Sequence, residues 1–261
     1  LVPLLGLGDD EVMELRNEAI ACMALTDLRI VMSRTRPEES YFGALAFSPD
    51  LECYARPDTK SGVTVRRVVD DEVIADLPTS GELQGLIFSP DGRFLGCRCR
   101  KETGYSVDVW DIALQRIVHR VGSAETNWSG GHWCFSPNGQ LFAADMVDGS
   151  IYIFHLETGA EVLRLSPTSK PTHIRFHPGG KQLAVGSISG KSIEVWDLET
   201  RSVVHLFDHP QGILWVAWRA DGELLAAACS DGCDYIWKTD TEELLHLLQG
   251  HKEVVHHVEF H

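Results

Sequence analysis

Apolar and polar residues alternate along this chain in short runs, and the runs recur. Around Ile193-Glu-Val-Trp196, Ile193 and Val195 fall on one face of a strand and Glu194 on the other. The surrounding unit reads as four strands, near 172–177, 182–187, 192–196 and 202–207. Pro-Gly-Gly, Ser-Gly-Lys and Glu-Thr supply the turns between them. Its opening phrase, Phe176-His-Pro-Gly-Gly180, has counterparts in Phe47-Ser-Pro-Asp50, Phe88-Ser-Pro-Asp-Gly92 and Phe135-Ser-Pro-Asn-Gly139. Looser copies stand at Trp218-Arg-Ala-Asp-Gly222 and Phe260-His261, and the first residues are 41, 47, 41, 42 and 42 apart. A second landmark keeps step: Val107-Asp-Val-Trp-Asp111, Ile151-Tyr-Ile-Phe-His155, Ile193-Glu-Val-Trp-Asp197 and Tyr235-Ile-Trp-Lys238. In the first unit its place is taken by Val63-Thr-Val-Arg-Arg67. Two landmarks advancing together mark an internal repeat of about 42 residues.

A single four-stranded sheet cannot bury both of its faces, so neighbouring units must stack. The pairing of Phe-Ser-Pro-Asp-Gly with Val-Trp-Asp resembles the WD40 family, over residues 41 to 261. The resemblance implies an all-β propeller with blades at 41–78, 83–122, 131–166, 171–208 and 213–249. A sixth blade is expected to begin at Val254 and stop after one strand, which makes the chain an open fragment of a larger ring. It also assigns scaffold roles. His209, Asp231 and Trp237 match the buried hydrogen-bond chain of the family's blades, although Ala227 and Cys229 stand where a strand hydroxyl is usual. Trp110 and Trp196 hold the same third-strand place as Trp237, and Trp196 is expected to be buried between blades.

Residues 1–40 follow a different pattern. Asp9, Asp10 and Glu11 suit a helix N-terminus, and Val12, Leu15, Ala19, Cys22 and Met23 recur at helical spacing. A short helix and a lead-in strand at Leu28–Met32 are therefore expected before the propeller. Leu15–Arg29 together with Val63–Val68 is similar to the junction that enters the WD40 region of large bacterial serine/threonine protein kinases. That resemblance implies a substrate-recruiting or regulatory region, its kinase domain and any membrane tether lying outside this chain.

Composition narrows the chemistry. Against 23 basic residues stand 38 acidic ones, a formal charge of −15, which argues against nucleic acid as a partner. No run of 18 apolar residues offers a membrane-spanning helix. Seven scattered cysteines fit a reducing, cytoplasmic compartment better than a disulfide framework. The missing initiator Met points to a chain cut from a longer one. The motifs of phosphoryl transfer are absent. Gly190-Lys191-Ser192 imitates the end of a phosphate-binding loop, but Val185 replaces its first Gly and the phrase sits between two strands. Cys97 and Cys99 share one strand face with no second cysteine pair at ligand spacing, so buried thiols are the reading. Alternation scatters His246, His251, His256, His257 and His261. No metal, cofactor or catalytic residue is assigned. An enzyme would need acid or base groups converging from the innermost strands, which offer Leu45, Leu86, Ile87, Trp133, Ile174 and Val216.

What remains is a non-catalytic interaction scaffold that recognises protein partners through loops on a rigid frame. The open edges of such a fragment invite self-association. Two lengthenings mark where a partner would sit: about three residues in 100–105 of blade two, and a longer link over 122–131. In an antiparallel blade both emerge on one rim. The candidate rim therefore comprises Arg100, Lys101, Tyr105, Trp128 and His132, an aromatic-plus-Arg composition suited to binding.

Overall fold

The computed structural model describes residues 45–58, 62–102, 104–122 and 128–260. The expected N-terminal helix and lead-in strand lie outside the described residues. Five four-stranded antiparallel sheets follow one another along the chain, each with its strands in sequence order. Blade one holds β1 (Ala46–Phe47), β2 (Cys53–Asp58), β3 (Gly62–Arg67) and β4 (Val73–Pro78). Blade two holds β5 (Glu82–Phe88), β6 (Phe94–Lys101), β7 (Gly104–Asp111) and β8 (Arg116–Val121). Blade three is β9 (Trp128–Phe135), β10 (Leu141–Met146), β11 (Ile151–His155) and β12 (Glu161–Leu165). Blade four is β13 (His173–Phe176), β14 (Gln182–Gly186), β15 (Ser192–Asp197) and β16 (Ser202–Asp208). Blade five is β17 (Ile213–Trp218), β18 (Leu224–Cys229), β19 (Cys233–Lys238) and β20 (Leu244–Gln249).

The repeated opening phrase makes each blade's first hairpin. Ser89 Oγ accepts the Phe94 amide at 2.9 Å and donates to Asp91 Oδ1, which also accepts the Arg93 amide at 3.1 Å. Ser48 with Asp50 and Ser136 with Asn138 repeat the arrangement. Such side-chain bonds replace the backbone pairing that a tight turn forgoes. The following residue must enter the left-handed region, and Gly92, Gly139, Gly180 and Gly222 do so with φ of 66° to 76°. Blade one departs from this. There Leu51 adopts φ 60° while two-thirds exposed. Relief of a left-handed non-glycine strain of roughly 1–2 kcal/mol, less glycine's greater unfolded freedom, gives Leu51→Gly a net gain of about 0.5–1 kcal/mol. The check is a higher urea midpoint at unchanged slope; a lower midpoint would contradict it.

Packing then joins blade to blade. One cross-strand pair recurs in the first four blades: Val63 with Leu77, Val107 with Val121, Ile151 with Leu165 and Ile193 with Phe207. All eight are at most 1% exposed, because each pair is covered by the next sheet. Four apolar clusters result, one between each successive pair of blades. Gly96 shows how close the approach is. A Cβ there would lie 2.4 Å from the Trp133 ring of the following blade.

Blade five breaks the series. The equivalent pair is Asp234 with Leu248, and Leu248 is half exposed. Beyond it the expected first strand of a sixth blade does not form, since residues 251–260 carry no strand. A blade's first strand pairs with its own second strand, and among the described residues this segment has none. It is held by the Val255 amide on the Cys229 carbonyl at 3.2 Å, which repeats Ile213 on Ser187 one blade earlier. Trp196 also differs from expectation. It is half-buried and turned towards blade three, with its indole N–H on Glu194 Oε2 at 2.8 Å.

Candidate functional site

The lengthening at 100–105 adds strand rather than loop; that of 122–131 lies partly outside the described residues. β6 and β7 form the longest hairpin among the described residues, with Arg100 opposite Tyr105 and Lys101 opposite Gly104. Arg100 is exposed and bonds Glu82 Oε2 through Nη2 at 2.6 Å and Nε at 3.0 Å. Tyr105 is half-buried against the cluster between blades two and three. Trp128 opens β9, opposite Met146 of β10. His132 lies apart from the hairpin tip, on the innermost strand of blade three. Arg98 connects the two regions. Its guanidinium stands 4.8 Å over the Tyr105 ring and close enough to His132 to disfavour a charged imidazole there.

His132 is the first ring of a column. Its ring centroid is 4.9 Å from that of His173, which is 3.9 Å from Trp215, which in turn is 4.4 Å from His257. The four residues occupy one position in successive units, three places before Phe135, Phe176, Trp218 and Phe260. The sequence carries that common spacing, but alternation alone does not show that His132, His173, Trp215 and His257 stack on one another. The innermost residues chosen from the sequence divide differently: Leu45 and Ile87 are exposed, whereas Ile174 and Val216 are buried in the blade interfaces.

Burial dictates the column's electrostatics. Desolvation, with a smaller contribution from Arg98, lowers the His132 pKa from 6.5 to about 4. His173 is held well below 6.5, first by burial and then by the neighbouring His132, Arg175 and His257. The Val216 amide donates to His173 Nδ1 at 3.2 Å, a bond that needs the ring nitrogen unprotonated. Both imidazoles are therefore neutral in the fold. Below pH 6.5 the unfolded chain binds more protons than the folded one, so stability falls as pH drops from there towards about 4. The melting temperature should fall between pH 7 and pH 5, and His132→Gln should flatten that dependence. An equally steep profile in the variant would contradict the assignment.

The scaffold residues of blade five are wired differently from the pattern the resemblance implied. His209 is buried, with Nδ1 2.6 Å from the Gln211 carbonyl and Nε2 2.9 Å from Cys229 Sγ. Asp231 is exposed and accepts the Tyr235 hydroxyl at 2.8 Å instead of bonding His209. Trp237 stacks on Tyr235 at 5.6 Å and meets His209 edge-on at 5.9 Å. The Cys229 thiol thus takes the place of the missing hydroxyl. Burial raises the thiol's pKa and lowers that of His209, which fits an S–H donating to a neutral ring. Trp110 is buried between blades one and two. Cys97 and Cys99 are buried free thiols, and 187–191 is a turn between β14 and β15. Among the described residues no group of three or more His, Cys, Asp or Glu side chains could hold a metal ion.

Residues 161–197 and 201–238 match the family model of the WD domain, G-beta repeat. Each match starts near the outer strand of one blade and ends on the third strand of the next. The chain is 28% identical over 168 residues to WD repeat-containing protein VIP3 of Arabidopsis thaliana, covering 59% of this chain and 50% of that protein. It is 29% identical over 129 residues to WD repeat-containing protein 1 of Gallus gallus, 46% of this chain and 21% of that protein. Periodic tryptophan protein 2 of Arabidopsis thaliana is 28% identical over 120 residues, 45% and 13% respectively. The chain spans half or less of the length of these relatives.

Proposed function

Because the chain belongs to the WD40 repeat family, we propose that it is a non-catalytic platform whose blade two–three rim takes up a protein partner. The observation that carries this reading is the long β6–β7 hairpin. It projects Arg100 and Lys101 from a frame whose other strands are fixed by buried inter-blade cores. Arginine beside an aromatic ring on a rigid support is the composition that concentrates binding energy. The test is capture of the intact protein's partner by the chain and by a variant with Arg100→Ala, Lys101→Ala and Trp128→Ala. Loss of capture with an unchanged melt supports the rim; undiminished capture removes it.

The exposed Leu248 face of blade five supports self-association of the isolated chain. Sedimentation should show oligomers at tens of micromolar that Leu248→Lys disperses, and a monomer at all concentrations would count against it. The narrower reading, as the recruiting region of a bacterial serine/threonine kinase, rests on Leu15–Arg29, outside the described residues, and on Val63–Val68, which forms most of β3 and the turn after it. Kinase motifs in the reading frame upstream of Leu1 would support it, and their absence would end it. The described cysteines are all free, which supports a reducing cytoplasmic setting. Thiol labelling of protein drawn directly from cells checks that: disulfides found there would contradict it.

A further inference from the structure

A cavity of about 300 Å³ opens where blade three meets blade four, between the β10–β11 turn and the link from β12 to β13. In antiparallel blades these two connections emerge on the same rim as the β6–β7 hairpin. Its polar lining includes Asp148, Arg164, Ser166, Ser169 and Lys170. The acidic member is already satisfied. Asp148 Oδ2 accepts Arg164 Nη2 at 2.5 Å, and Oδ1 accepts the Ser150 amide at 2.9 Å together with the Ser150 hydroxyl. These bonds, the Ser150 ones first, keep the Asp148 carboxyl below its usual pKa.

The remaining groups are donors. Arg164 lies 4.5 Å over the Tyr152 ring, which fixes its plane while leaving N–H groups that Asp148 and Ser150 do not use. Lys170 is exposed and has no acidic partner among the described residues, and its backbone is fixed by Ser187 Oγ on the Lys170 carbonyl at 2.7 Å. The far wall is set by Thr168, whose amide donates to the buried Glu194 at 2.9 Å and whose hydroxyl bonds the same oxygen. The notch thus presents two cations, four hydroxyls, of which Ser150 and Thr168 are already bonded to carboxylates, and one neutralised carboxylate, on a chain whose formal charge is −15.

We propose that this notch binds a phosphate monoester, presented as a phosphorylated serine or threonine side chain of the protein partner. The proposal rests on the platform reading above. A carboxylate has two acceptor oxygens, whereas a phosphate ester offers three and a charge near −2, which better matches the donors available. The cavity exceeds the space of a lone ion, since a water takes about 30 Å³, and it has room for the side chain that carries the phosphate. A phospholipid headgroup shares the chemistry, but the chain's negative charge opposes approach to an anionic leaflet.

The experiment uses the whole chain and four probes: a phosphoserine peptide, the same peptide with serine, the same peptide with glutamate, and vesicles containing a phosphoinositide. Binding is read by calorimetry and by amide NMR shifts over 148–150 and 166–170. The phosphoserine peptide should bind at least tenfold more tightly than the other two peptides, with shifts confined to the notch. Lys170→Glu and Ser166→Ala/Ser169→Ala should each weaken it at least fivefold without altering the melt. Equal affinity for all three peptides, preference for the vesicles, or unchanged binding in both variants would overturn the proposal. None of those results would touch the platform reading, which has its own test in partner capture by the Arg100→Ala, Lys101→Ala and Trp128→Ala variant.

Discussion

Replacing Trp237 by Ala is expected to lower the unfolding free energy by about 3–5 kcal/mol, the cost of deleting a buried aromatic side chain and leaving its cavity. Trp237 is 3% exposed in the cluster that joins blades four and five, with Phe207 at 5.8 Å and Tyr235 stacked at 5.6 Å. Those neighbours belong to two different sheets, so neither can close the gap without disturbing its own ladder. Trp196 provides the internal control. It occupies the same strand position but is half-buried, so Trp196→Ala should cost clearly less. Urea unfolding monitored by far-UV circular dichroism decides the matter, through a lower midpoint at constant slope. A loss below about 1 kcal/mol for Trp237→Ala would mean that the strand does not face blade four as described.

Arg120→Met should be nearly as damaging, at about 3–5 kcal/mol, because it strands a buried carboxylate. Asp108 is fully buried and receives Arg120 Nε at 2.5 Å and Nη2 at 2.9 Å. The two are cross-strand partners on β7 and β8, so no other cation can slide into that register. Arg120 itself is 42% exposed and can be lost to water, whereas Asp108 cannot. The asymmetry predicts the rescue. Arg120→Met combined with Asp108→Val removes the orphaned charge along with its partner and should recover most of the stability. A double variant as unstable as Arg120→Met alone would show that the loss comes from packing of the arginine stem.

The blades were legible because their turns are written in local chemistry. Ser89 and Asp91 bond residues within five positions of themselves, and a sequence displays such bonds directly. The strand faces followed from alternation, which placed Ile193 and Val195 together correctly. The candidate rim was harder to read. Extra residues at 100–105 look like a loop in sequence, but two strands can absorb them by extending in register, as Arg100 and Tyr105 do. Burial of Trp196 could not be read from its motif, since it depends on how far the next sheet overlaps it. The part played by Cys229 was hidden for a similar reason. A thiol is not expected to replace a hydroxyl until His209 is seen 2.9 Å away. The notch was invisible, because Asp148 and Arg164 lie 16 residues apart in sequence and meet only when the strands of blade three pair, with Lys170 added by the link to blade four.

The four apolar clusters between blades also fix how damage travels through the molecule. Each cluster joins one blade to the next, and none bridges blades that are not consecutive. The blades therefore behave as a row of nearest-neighbour-coupled units, in which a lesion weakens the two blades it touches and reaches others only by relay. Mechanical load applied along such a row would be released in steps, one interface at a time. The chain itself is offset from that row, because the segments matching the family's repeat begin on one blade and end on the next. Duplicating or deleting one repeat therefore leaves every sheet with four strands, while altering the number of blades by one. A gene for this fold can lengthen or shorten in whole blades without passing through a broken one.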